Sequence, residues 1–132
     1  MFLIEILTPE RNFYQEEVDS VIMASPEGEL EILTGHVPMV VDLLPDPIKI
    51  KKDGEWFMAA LTKGFALVNA DKVTILVEIA EWPEEIDINR ANEEKQKAEE
   101  KLKHKMSKIE YLQTRADLQR ALTELKVKGK NI

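Results

Sequence analysis

Val73-Thr74-Ile75-Leu76-Val77-Glu78-Ile79-Ala80-Glu81-Trp82-Pro83-Glu84-Glu85-Ile86-Asp87-Ile88-Asn89-Arg90-Ala91 carries the change of architecture on which the fold turns. Its first seven residues alternate, with Val73, Ile75, Val77 and Ile79 on one face, the period of a half-buried strand. Its last five open a helix: the Asp87 carboxylate can accept the free amide of Arg90 or a neighbour. Between them, Trp82-Pro83-Glu84-Glu85 marks a boundary, because proline neither donates to a ladder nor continues a helix.

Composition changes at the same point. Residues 1–83 carry 6 basic and 15 acidic side chains, a net of −9, whereas residues 84–132 carry 12 and 10, a net of +2. Seven of the eight aromatics and all six prolines fall in the first part. That part reads as short strands at residues 2–7, 18–24, 29–33, 37–44, 48–51, 56–61, 65–68 and 73–79. Ser25-Pro26-Glu27-Gly28 and Asp53-Gly54 supply turns. Strands so closely spaced, with no helix between them, predict an antiparallel β-sandwich or flattened barrel over 1–83.

Downstream, Ala, Leu, Glu, Lys and Gln dominate, and Gly129 is the one glycine. A first helix from Ile88 carries a narrow stripe of Ala91, Ala98, Leu102 and Met106. Ser107-Lys108-Ile109-Glu110 is a capping-box pattern that starts a second helix. Ile109, Leu112, Ala116, Leu118, Ala121, Leu122 and Leu125 recur there at helical spacing. So short a break predicts an antiparallel two-helix hairpin over 84–132, giving an α+β chain. An alanine-rich stripe buries little area, so the hairpin is expected at the low-stability end of the molecule.

Several function classes are disfavoured. A net charge of −7 and a pI near 4.9 argue against nucleic acid as a partner. There is no cysteine, and the histidines are His36 and His104 alone, which leaves little for a metal centre. Nothing in the spacing of His36, Ser25 and Asp42 demands a triad. The adjacent pairs Glu16-Glu17, Glu84-Glu85 and Glu99-Glu100 point apart rather than forming acid/base couples. No glycine-rich phosphate loop is present, the apolar runs fall short of the ~20 residues of a membrane span, and the first ten residues do not resemble a signal peptide. The chain reads as no enzyme by itself. Arg90 beside a helix N-terminus could bind a polyphosphate if Arg120 converged on it; a plain Asp87 cap with two solvated arginines accounts for the same residues.

Glu27-Gly28-Glu29-Leu30 with Gly35-His36-Val37-Pro38, Gly64-Phe65-Ala66-Leu67-Val68 and Lys72-Val73-Thr74-Ile75-Leu76-Val77 follow one another in the strand-rich part. On these stretches, and over essentially its whole length, the chain resembles the epsilon subunit of bacterial F-type ATP synthases. Ile86-Asp87-Ile88-Asn89-Arg90-Ala91 resembles the family's Ile/Leu-Asp-x-x-Arg-Ala ATP-binding signature. The order of these stretches adds to their specificity.

This resemblance implies a non-catalytic central-stalk (rotor) subunit of a proton- or sodium-driven synthase, peripheral on the cytoplasmic face of the bacterial cell membrane. Its partners would be gamma and the c-ring, with Glu29, Glu31 and His36 in the c-ring contact. Glu31 replaces the family's common glycine, Thr34 its usual proline, and Thr62-Lys63 its Ser-Gly pair. The hairpin would permit rotation when folded down. Extended, its second helix would reach the alpha and beta catalytic subunits and block hydrolysis, with Lys108, Arg115, Arg120, Lys126, Lys128 and Lys130 available to acidic partners. No cofactor would be required. ATP, with or without magnesium, would be a regulatory ligand favouring the down state through Glu81, Ile86, Asp87, Arg90, Ala91 and Arg120. Lys97 and Glu124 stand where two further family arginines occur, which implies that ATP binding is weak or lost. Two other readings fit the residues: a freestanding ATP sensor, and a coiled-coil adaptor gripping a helix through Leu112, Leu118 and Leu125.

Overall fold

Alternating side chains that must bury one face produce two packed sheets in the computed structural model, which describes residues 1–129. The sequence expectation for the helical part runs to Ile132 and its basic set includes Lys130; residues 130–132 lie outside the described residues. The strands are β1 Phe2–Leu7, β2 Asn12–Val18, β3 Ser20–Ser25, β4 Gly28–Leu33, β5 Met39–Leu43, β6 Asp46–Lys52, β7 Glu55–Leu61, β8 Gly64–Val68, β9 Lys72–Val77 and β10 Ala80–Glu81. One sheet has the order β2-β1-β9-β8-β5 and the other β10-β7-β6-β3-β4. The inward faces meet in a core that includes Ile4, Ile6, Val21, Ile50, Ala59, Ala66, Val73 and Ile75. This is the expected sandwich. All pairings are antiparallel except that of β1 with β9, which run parallel.

Local chemistry sets the turns. Asp53 and Gly54 take φ of 52° and 81°, the left-handed pair that matches hairpin twist between β6 and β7. Gly64 has a different reason to be glycine. A Cβ there would run into the carbonyl oxygen of Leu76 and lie 2.7 Å from Val77 Cγ1 across the β8–β9 pair.

Two expectations are corrected. The segment 12–17 is a strand rather than a connection: Phe13 bulges inward against β1, where the register shifts between Ile6 and Leu7. Ile79 leaves the buried face of its strand, because β9 stops at Val77; Ala80 is buried instead.

The chain then passes through a short 3-10 turn, Pro83–Glu85, into α1 Ile88–Lys101 and α2 Lys108–Gly129. Asp87 Oδ1 accepts from the amides of Asn89 at 3.0 Å and Arg90 at 3.2 Å, as a cap should. Ser107 Oγ accepts from the Glu110 amide at 3.2 Å and donates to its carboxylate at 3.1 Å. The two helices pack against each other, and α2 lies on β6 and β7. Ala91 and Ala98 are the buried residues of α1.

The anticipated stripe on α2 is only partly buried. Ala121 is enclosed and Leu118 and Leu125 are half-buried, yet Ile109, Leu112, Ala116 and Leu122 are exposed. Thr114, Thr123 and Val127 are buried in their place. This helix must face both α1 and the sheet, so no single stripe serves it. Val127, for example, packs with Ala60 of β7 and with Ile86.

Candidate functional site

Where the hairpin meets the sandwich, aromatic packing fixes the chain. Trp82 stacks on Phe13 with ring centroids 4.3 Å apart and meets Tyr14 at 5.5 Å edge-on. Beside it, Arg11 forks onto Glu85 with two 2.8 Å hydrogen bonds and donates to the Ala80 carbonyl oxygen. The Trp82 amide donates to the same Glu85 carboxylate at 2.8 Å. Arg11 and that amide hold Glu85 below the usual carboxylate range. Arg11 and Glu85 are 74 positions apart, so their partnership left no spacing signal.

From α2, Arg120 reaches back to β10. Its Nε and Nη2 both donate to Glu81 Oε1 at 3.3 Å, while Nε lies 3.7 Å from Glu124 Oε2 one turn along the helix. Lys126 adds a 2.9 Å contact to Asp46 of β6, and Lys128 donates to the Pro83 carbonyl oxygen at 2.8 Å. Three basic side chains of α2 therefore fasten it to the sandwich.

Arg90 and Arg120 do converge. They line one cleft between α1 and α2 with Glu94, Asp117, Ala121 and Glu124. That cleft is about 90 Å³, well below the roughly 300 Å³ at which small-molecule sites begin. A larger hollow of about 420 Å³ opens on the other side of Arg120, lined among others by Arg11, Ile79, Ala80, Glu81 and Glu85. Burial, then the hydrogen bond to Glu81 and that neighbour's charge, push the Glu124 carboxyl up to about 8; Arg120 and Arg90 pull the other way. The remaining signature residues have structural tasks: Ile86 and Ala91 are buried, and Asp87 caps α1.

At the far end of the sandwich, His36 braces two loops. Its Nδ1 faces the Leu33 carbonyl oxygen at 2.7 Å, its Nε2 faces that of Asn69, and Phe2 meets the ring edge-on. Ser25, one of the residues weighed with it for a triad, donates instead to Gly28 at 2.8 Å. Glu29 and Glu31 are exposed on β4; Glu29 pairs with Lys49 and Glu31 accepts from Ser20. Among the described residues of α2, Lys108, Arg115 and Lys126 are exposed, Arg120 and Lys128 half-buried. No group of histidines and carboxylates among the described residues is arranged to hold a metal ion.

The two sheets differ in cover. The hairpin lies over the outer face of the β6–β7 end of one sheet. On the other, Val40 (72% exposed), Phe65 and Leu67 form an uncovered apolar strip across β5 and β8. No described helix is long and apolar enough to cross a membrane.

Comparison with known proteins accounts for both halves of this architecture. Residues 1–83 match the family described as ATP synthase, Delta/Epsilon chain, beta-sandwich domain. Residues 84–129 match its long alpha-helix domain. The chain is 45% identical over 124 residues to an ATP synthase epsilon chain of Ruminiclostridium cellulolyticum, covering 94% of this chain and 92% of that one. It is 46% identical over 130 residues to that of Caldanaerobacter subterraneus, covering 98% and 94%. Among solved structures, a chain of the Euglena gracilis mitochondrial ATP synthase OSCP/F1/c-ring assembly superposes with a TM-score of 0.79 at 23% identity, over 92% of this chain and 78% of that chain; at that identity the likeness concerns the fold. Matched in its sandwich and in its helices alike, this chain belongs to the ATP synthase delta/epsilon chain family.

Proposed function

We propose that this chain works as the rotor part of an F-type ATP synthase, joining gamma to the c-ring at the foot of the central stalk. It is a structural and regulatory subunit of the synthase and not itself catalytic. The observation that carries the rotor reading is the unequal treatment of the two sheets. One has its own helices for cover, while Val40, Phe65 and Leu67 offer the other to a partner. Gamma is the partner assigned to that strip, and Glu29, Glu31 and His36 at the opposite sheet edge and loop are assigned to the c-ring. The synthase would be proton- or sodium-driven and would hold this subunit peripherally on the cytoplasmic face of the cell membrane.

Residues 84–129 are assigned as the regulatory arm. Docked, as in this structure, they leave rotation free. Released, α2 presents Lys108, Arg115, Arg120, Lys126 and Lys128 to the alpha and beta subunits and blocks ATP hydrolysis. Ile109 and Leu112, exposed in the docked state, support this reading because they would gain cover in the released one. ATP, with or without magnesium, would favour the docked arm through Arg90 and Arg120, with Glu81, Ile86, Asp87 and Ala91 around the base. The tight cleft and its carboxylates predict weak binding.

Co-purification tests the assembly. Val40→Asp with Leu67→Asp should abolish recovery of gamma and the c-ring with this subunit while leaving its circular dichroism unchanged. Recovery at the wild-type level would overturn the assigned surface. Deleting residues 84–132 should relieve inhibition of ATP hydrolysis in the assembled enzyme; inhibition retained would overturn the arm.

A further inference from the structure

One guanidinium at the joint serves two carboxyl groups. Arg120 of α2 bonds Glu81 of β10 at 3.3 Å and lies 3.7 Å from Glu124 of its own helix. Both carboxyl side chains are sheltered, 17% and 13% exposed. Two ionised carboxylates in so small a space would repel each other and lose their water, and one positive charge cannot satisfy both. A proton on one carboxyl would resolve the conflict, leaving a single carboxylate for Arg120 to balance. We propose that a proton shared between Glu81 and Glu124 latches the helical hairpin to the sandwich, so that undocking the hairpin releases a proton.

The charged groups around Glu124 favour this arrangement. Facing it are Arg90 and Glu94 from α1, Asp117 and Arg120 from α2, and Glu81 from β10. Across Arg120, the sandwich side carries Glu10, Arg11, Lys63, Glu78 and Glu85. Arg11 is committed to Glu85 and gives Glu81 only distant help. The docked carboxyl of Glu124 titrates at about 8. An undocked one, in water, has the ordinary glutamate value of 4.5.

The raised value sets the sign. The latch is at full strength below about 4.5, weakens as pH rises, and has lost its whole contribution above about 8. Inside that window each pH unit lowers the docking constant about tenfold, because one proton leaves on release. Neutral pH lies within it. The hairpin is thereby coupled to proton concentration without any ligand.

This inference rests on reading residues 84–129 as an arm that can leave the sandwich. Its test uses the full chain without nucleotide or partner subunits, so its failure would leave the assembly and ATP readings to their own tests. Amide hydrogen exchange is followed at pH 5, 6 and 7, corrected for intrinsic rates, with β9 as internal reference. The α2 opening constant should rise about tenfold per pH unit while that of β9 stays level. Glu124→Gln has no carboxyl to titrate at this position, so the α2 opening constant should become flat. Carbon-13 titration should place the Glu124 carboxyl near 8, and Glu81→Gln should lower it. A pH-independent opening in the wild type, an undiminished slope in Glu124→Gln, or a Glu124 carboxyl titrating with the ordinary glutamates would each overturn the latch.

Discussion

Glu124 changes what its neighbouring arginine can offer. Glu94 and Asp117 already offset the two arginines of the cleft, and Glu124 adds no cation to it, which weakens its attraction for a polyphosphate. Glu124→Arg adds a cation to the same space and should tighten ATP binding by about tenfold, roughly 1.4 kcal/mol, measured by calorimetry. Arg120→Ala in that background should remove the gain; an unaltered dissociation constant in Glu124→Arg would show that phosphates do not enter this cleft. Gly64 makes the opposite kind of demand, set by space and not charge. Gly64→Ala would force β8 away from the Leu76 carbonyl on β9 and should cost ~2 kcal/mol. Thermal unfolding reads that as a fall of roughly 10 °C in Tm. A Tm within 2 °C of wild type would mean that the strand pair yields without strain.

At the scale of the element, α2 is the part that sequence periodicity described least well. Strands were legible because one face of each is buried by one partner sheet; Val73, Ile75 and Val77 are enclosed as their alternation requires. The caps at Asp87 and Ser107 were legible too, since a cap is chemistry within four residues. A helix against both a sheet and another helix has no single buried stripe, and Thr114 and Thr123 are buried where the leucine pattern does not reach. The joint was hidden for a different reason. Glu81 and Arg120 are 39 positions apart, and only the resemblance had pointed to both. β2 was hidden by its bulge, which breaks the alternation at Phe13. The exposed positions of α2 yield a prediction. Ile109→Ser with Leu112→Ser should leave the isolated chain within ~0.5 kcal/mol of wild type, because neither side chain is covered. The same pair should relieve inhibition of ATP hydrolysis in the assembled enzyme. A large loss of stability in the isolated chain would show that the two residues pack within the docked arm.

Across the whole molecule, stability is divided unequally. The large core cluster draws its residues from Phe2 to Ala80, whereas the cluster reaching the hairpin has Ala60, Ile86 and Val127. Hydrogen bonds and ion pairs complete that joint beside the Trp82–Phe13 stack, and Lys126, with a side chain 62% exposed, contributes on the order of 0–1 kcal/mol through Asp46. Residues 1–83 should therefore fold without the helices, keeping the Trp82 stack on Phe13 and melting cooperatively within about 5 °C of the full chain. Residues 84–132 by themselves should show little helix, since α1 buries only alanines and short helices are marginal in water. Calorimetry and circular dichroism on the two fragments decide the matter. If residues 1–83 fail to fold, the arm is an integral part of the sandwich, and no proton or nucleotide could release it without unfolding the subunit. If they fold and still recover gamma and the c-ring but no longer restrain ATP hydrolysis, assembly and regulation are separable functions of the two halves.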